Sequence, residues 1–198
     1  MSDRTIDATK KRLLDHGVAM LLLNGYHGAG LAEILKAAGV PKGSFYYYFA
    51  SKEEFGAAAV EHYIAPFLRL LTERLAEPGK SGLEALTAYF RDLAAELEAN
   101  DFKGGCLLGN LMGEVGDTSP AARDALKRAV DRYRDLLAKG LARAQQDGAA
   151  RADRDARAMA DLLVDGWQGA LLRMKVERSA APLHAFINET LLGYCGRA

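Results

Sequence analysis

Apolar residues recur every three to four positions along most of the chain. No run alternates apolar with polar over strand length between turn residues, so the pattern predicts an all-α protein. The first helix runs from about Thr5 to Asn24, with Ile6, Leu13, Leu14, Val18, Leu21 and Leu22 at helical spacing, and ends at Gly25. A short second helix, 31–38, stops at Gly39. Pro41 and Gly43 open a short third helix, and Ser51, with Glu53 and Glu54 behind it, caps a fourth that reaches Ala76. After a break at 77–82 come a helix over 83–99 and a short glycine-broken segment from Cys106 to Val115. Asp117, Ser119 and Pro120 then start a long helix to Gln146. Asp153 starts another over 156–176, and Pro182 opens the last, which ends near Gly193. That makes about nine helices without internal repeat or low-complexity linker.

Two short helices separated only by Gly39, Val40 and Pro41 fit a helix-turn-helix in length and turn chemistry. Glycine ends the first in a left-handed conformation, and the residue before proline is pushed out of helical geometry, so the chain must turn there. Within "KGSFYYYF" the helical angle of about 100° per residue sets Phe45 and Phe49 toward a core, Tyr47 away from it, and Tyr46 and Tyr48 on either flank. Gly43 and Ser44 share the outward face with Tyr47, and Lys42 extends toward it. Hydroxyls and amines on such a face reach phosphates, while glycine and serine allow close approach to base edges. Packing of Tyr46 and Tyr48 against the first helix is the competing role for those two side chains.

Charge supports this picture only modestly. Net charge is zero, but residues 1–52 hold seven basic groups against four acidic ones, a small surplus suited to an anionic partner.

The stretch "LAEILKAAGVPKGSFYYYFASKEEF", residues 31–55, resembles the DNA-binding domain of the TetR/AcrR family of transcriptional regulators, and the likeness covers residues 4–62. It implies a helix-turn-helix domain at 1–52, a connecting fourth helix at 52–76, and a ligand-binding and dimerisation domain at 53–198. It implies a homodimer on palindromic double-stranded operator DNA, with Lys42, Gly43 and Ser44 near base edges, Tyr46, Tyr47 and Tyr48 near the backbone, and Lys52 at a phosphate. Gly28, Ala29 and Gly30 stand where many members have phosphate-binding threonines, which leaves only backbone amides for that contact.

Of the two cysteines, Cys106 follows two glycines and Cys195 lies near the C-terminus. With no secretory signal in the sequence, both are expected to be free thiols in the cytoplasm. A buried cysteine often acts only as a small hydrophobe, which is the bland role for Cys106. "GCLLGNL" and "GWQGALLRMKVERS", residues 166–179, are similar to the family branch that includes N-ethylmaleimide-responsive and acryloyl-coenzyme-A-responsive repressors. That likeness implies electrophile or oxidant sensing at Cys106, with Lys175 assisting, since a nearby cation favours thiolate. Phe102, Asn110 and Trp167 are further candidates for an inducer pocket. The apolar positions of the last two helices, from Met159 and Leu162 through Leu191, suit either a four-helix dimer interface, as the family implies, or the subunit's own core.

The four histidines lack metal-ligand spacing, so no metal and no cofactor are expected. Nothing approaches the roughly 20 apolar residues that cross a bilayer. Two rivals remain: an enzyme using Cys106 as nucleophile, and a helical interaction module that does not bind DNA.

Overall fold

The computed structural model describes residues 3–197, with side chains from residue 8 onward. The side chain of Ile6, counted on the first helix's apolar face, lies outside the described residues, as do those of Asp3, Arg4 and Asp7.

Nine helices follow one another among the described residues: α1 (Asp3–Gly28), α2 (Leu31–Ala38), α3 (Lys42–Tyr48), α4 (Lys52–Ala76), α5 (Gly82–Ala99), α6 (Leu107–Val115), α7 (Pro120–Gln146), α8 (Ala156–Glu177) and α9 (Ala181–Ala185), the last continuing as a π-helix over Phe186–Cys195. The only extended pairing among them is a single bridge between Ala150 and Gly196. The expected all-α class and helix order are therefore observed.

Two local expectations need correction. The last element is not one regular α-helix. Its wider π-helical turns bury Phe186 and Ile187 together with Leu191 and Cys195, the last three four residues apart. The cap of α8 is Asp155, whose carboxylate accepts the Ala158 N–H at 2.9 Å, while Asp153 instead pairs with Arg151. The Ser51 and Ser119 caps form as expected, accepting the N–H groups of Glu54 and Ala122.

Compactness divides the chain differently from the expected boundary at residue 52. One unit runs through Ala65 and takes in Cys106–Ala129; the other comprises Pro66–Gly105 and Val130–Ala198. Both α4 and α7 thus pass from one unit to the other. Pro66 is the first residue of the second unit and lies inside α4, where it cannot donate to the carbonyl four residues earlier.

In the first unit α1 packs against α2 and α6. Leu13, Leu21, Ile34, Phe45, Phe49, Phe55, Leu107 and Leu111 are fully buried there. In the second unit α8 packs on α9 and its π-helical continuation. Phe90, Trp167 and Phe186 form an aromatic cluster with ring centroids 5.0–5.2 Å apart. No helix among the described residues is long and apolar enough to cross a membrane.

Candidate functional site

The turn between α2 and α3 forms as its residues require: Gly39 is left-handed (φ 64) and its N–H, with that of Val40, closes on the carbonyls of Lys36 and Leu35. Pro41 then caps α3 in extended geometry. Three buried rings anchor this seven-residue helix, with Phe45 5.5 Å from Phe49 and 5.8 Å from Phe55, and Phe49 5.1 Å from Phe55. An anchor of this density fixes the helix rotationally.

The outward face is therefore defined. Tyr46 and Tyr47 are 60% and 68% exposed, and Lys42 and Gly43 are open to solvent. Ser44 and Tyr48 are half-buried, with the Tyr48 ring meeting that of Tyr47 edge-on at 5.1 Å. Of the two flanking tyrosines, Tyr48 is thus the one that packs.

Lys52 is engaged with protein. Its ammonium donates to the carbonyl of Tyr26 at 2.8 Å and lies 4.6 Å from the centre of the Tyr26 ring. Tyr26 follows Gly25, whose backbone (φ 71, ψ −179) interrupts α1 so that one more turn continues in a new direction. The two amides freed by that break, those of Tyr26 and His27, donate to the two carboxylate oxygens of Glu114 on α6, each at 2.7 Å. Burial raises the Tyr26 phenol above its usual range, with the Glu53 charge adding to the effect. Neither Glu114 nor Tyr26 stood out in the sequence. One signal was present: Glu114 is the only charged residue in the largely apolar "LLGNLMGEV".

Cys106 sits at the N-cap of α6, half-buried, with its carbonyl accepting the Asn110 N–H at 3.0 Å. Asn110 is half-buried one turn further along, in the same unit. In the second unit, the loop that leads up to Cys106 is left-handed at Asp101, Phe102, Gly104 and Gly105. Arg178, also left-handed, pairs with Asp101 at 2.7 Å, so the three non-glycine residues with positive φ among the described residues meet at one corner. Lys103, and then Arg178, hold the Asp101 carboxyl below its usual range. The stem of Lys175 lies on Gly105, where an added Cβ would come within 2.9 Å of Lys175 Cδ.

Of the expected pocket residues, Phe102 is half-buried in this loop and Trp167 is buried among Phe90 and Phe186 as part of the core. Cys195 is fully buried, and burial pushes its thiol from 9.0 up to about 11.

Along α8 the apolar positions sort into two faces. Met159, Leu163, Trp167, Ala170, Leu171 and Met174 are buried within their own unit, and Gly166 faces the ring of Phe186. Leu162, Leu172 and Val176 are 40%, 56% and 85% exposed, and Gly169 between them has open space beyond it. Residues 162, 169 and 176 recur every seven positions, which keeps them on one helical stripe.

Family comparison adds to this geometry. Residues 13–59 match the model of bacterial regulatory proteins of the tetR family, and residues 82–190 match a tetracyclin repressor-like C-terminal domain. The chain is 38% identical to the transcriptional regulator AcuR of Cereibacter sphaeroides over 88% of its own length and 80% of that protein. It is 34% identical to the repressor NemR of Escherichia coli over 92% of each. The crystal structure of reduced E. coli NemR superposes with a TM-score of 0.85 over 96% of this chain and 98% of that one, at 32% identity. A regulatory protein from Rhodobacter sphaeroides gives 0.86 over 92% and 97%, at 37% identity.

Proposed function

The chain belongs to the TetR family of bacterial regulatory proteins, and from that premise we infer that it is a ligand-responsive transcriptional repressor that binds operator DNA as a homodimer and is released by a small inducer. The observation that carries this reading is α3, a helix locked by three buried rings whose outward face bears Lys42, Gly43, Ser44, Tyr46 and Tyr47. On a major groove, the small residues of its first turn admit close approach to base edges, and the lysine and phenols reach phosphates. Tyr48 supports the face from its half-buried flank, and Lys52 acts through Tyr26 in the DNA-free chain.

Two such helices must enter successive grooves about 34–36 Å apart, so spacing controls affinity. An inducer lowers affinity by favouring a state with the wrong spacing, and operator DNA correspondingly weakens inducer binding. The exposed stripe of α8, with Leu162, Gly169, Leu172 and Val176, is the face proposed to meet a second copy of the chain, where Gly169 lets the helices approach closely.

For the signal we propose Cys106, with Lys175 as its cationic assistant. The half-exposed thiol at the start of α6 supports the role of Cys106, and that of Lys175 rests on the family likeness. The thiolate would add to the β-carbon of an unsaturated carbonyl; a C–S bond forms, the π electrons move to the carbonyl, and the α-carbon takes a proton from water. The relatives are named as regulators and repressors, which favours this role over a cysteine-dependent enzyme.

Mobility shift with a duplex selected from a random pool tests both parts. Wild-type protein binds and N-ethylmaleimide releases it, Tyr47→Ala weakens binding, and Cys106→Ser binds but no longer responds. Failure of wild-type protein to select any duplex overturns the repressor reading. An unchanged response in Cys106→Ser overturns the covalent signal.

A further inference from the structure

The peptide that joins Tyr26 to His27 is held from both ends by opposite charges on two other helices. Its carbonyl accepts from the Lys52 ammonium of α4 at 2.8 Å, and its N–H donates to Glu114 of α6 at 2.7 Å. The second Glu114 oxygen takes the preceding N–H, that of Tyr26, also at 2.7 Å. Both interactions are charge-assisted, and they stiffen the chain where α1 has lost its own ladder at Gly25. The Tyr26 ring lies under Lys52 and against Gly56, where an added Cβ would come within 3.0 Å of it.

From this geometry, and resting on the repressor reading above, we propose that Glu114 is a positioning residue for DNA binding: its carboxylate fixes the break in α1 and thereby the direction in which the chain enters α2 and the recognition helix α3. The segment from Gly25 to Gly30 is the link through which α1 feeds the helix-turn-helix. It contains three glycines, at 25, 28 and 30, so little in its own sequence sets its path. The Ala29 N–H closes on the Gly25 carbonyl at 3.1 Å, so the turn that Glu114 caps is the one that delivers α2. Glu114 lies on the same nine-residue helix whose N-cap is Cys106, which places the clamp at the far end of the element that begins at the thiol.

The role differs from simple packing because it depends on two acceptor oxygens and a negative charge, both removed or halved in Glu114→Gln at constant shape. The test uses the full chain and two readings. Residue-resolved hydrogen exchange should show the Tyr26 and His27 amides exchanging about tenfold to hundredfold faster in Glu114→Gln, the factor for losing a charge-assisted bond, while amides of α5 and α8 keep wild-type protection. Affinity for the duplex selected by wild-type protein should fall by about the same factor. Glu114→Ala, which removes both acceptors, should fall further. Wild-type protection at those two amides, or wild-type affinity in Glu114→Gln, overturns the proposal. If wild-type protein selects no duplex, it is the repressor reading that has failed, and the exchange measurement still decides whether Glu114 holds the link.

Discussion

Replacing Gly25 by alanine tests whether the break in α1 is imposed by backbone and carboxylate together. Gly25 has φ 71 and ψ −179, a region that essentially only glycine occupies, so the backbone alone is expected to cost about 1–3 kcal/mol in any other residue. A Cβ there would also stand 2.6 Å from one Glu114 oxygen and 3.0 Å from the other. The carboxylate must swing away, and losing one of its two charge-assisted bonds adds about 1.5 kcal/mol. The expected total is about 3 kcal/mol, read by urea unfolding followed through far-UV ellipticity, with hydrogen exchange locating the loss in the first unit. Gly113→Ala on α6 is the control. Nothing lies within 4 Å of its Cβ, so it should gain up to about 1 kcal/mol from helix propensity. In the Gly25→Ala background, Glu114→Ala should cost less than it does alone, a coupling above about 0.5 kcal/mol. Gly25→Ala within about 0.5 kcal/mol of wild type, or strict additivity with Glu114→Ala, refutes the reasoning.

Other expectations follow from the same side chains. Lys52→Met should weaken operator binding without changing its salt dependence, whereas Lys42→Met should flatten the slope of log affinity against log salt by about 0.9; equal slopes for the two would make Lys52 a direct phosphate contact. Leu172→Arg or Gly169→Arg should leave the helical content intact and shift sedimentation from dimer to monomer, since both positions are exposed in the single chain. N-ethylmaleimide at pH 8 should modify Cys106 alone, and mass spectrometry should find Cys195 labelled only after denaturation. Because the Cys195 pKa is raised on folding, its stabilising effect is complete below pH 9.0 and is lost as pH rises through about 11. Cys195→Ala should blunt that alkaline loss in urea titrations.

Helix order and the helix-turn-helix were legible because they depend on local signals: Gly39 and Pro41 for the turn, Ser51 and Ser119 for caps, and period 3.6 for Phe45 against Tyr47. The exposed stripe of α8 was only half legible. Met159, Leu162, Leu163 and Leu172 are all apolar positions of one helix, and sequence does not say which row meets the subunit's own core. Trp167 was open between pocket and core in the same way, and its ring contacts with Phe90 and Phe186 come from other elements of the chain. Glu114 was hidden for a different reason. Its partners are backbone amides 87 and 88 residues away, and a backbone N–H leaves no mark in the sequence except the glycine that frees it.

The size of the Glu114 clamp also bears on how a dimer could be switched. A hydrogen bond to a charged group contributes about 1.5–3 kcal/mol, and allosteric couplings commonly amount to about 1–3 kcal/mol per pair of sites. Weakening a single clamp therefore already supplies the usual coupling. A symmetric dimer carries two clamps, and losing one bond in each would change operator affinity by about 3–6 kcal/mol if the recognition helices must both fit. That range is at least a hundredfold, enough to release DNA without unfolding either unit. The buried rings of Phe45, Phe49 and Phe55 hold α3 to the start of α4, so a switch of this kind would carry the tyrosines with the helix and not melt it. A switch built this way should leave the protection of the Phe45 and Phe49 amides unchanged when N-ethylmaleimide releases DNA, and faster exchange there would instead indicate release by local melting of α3.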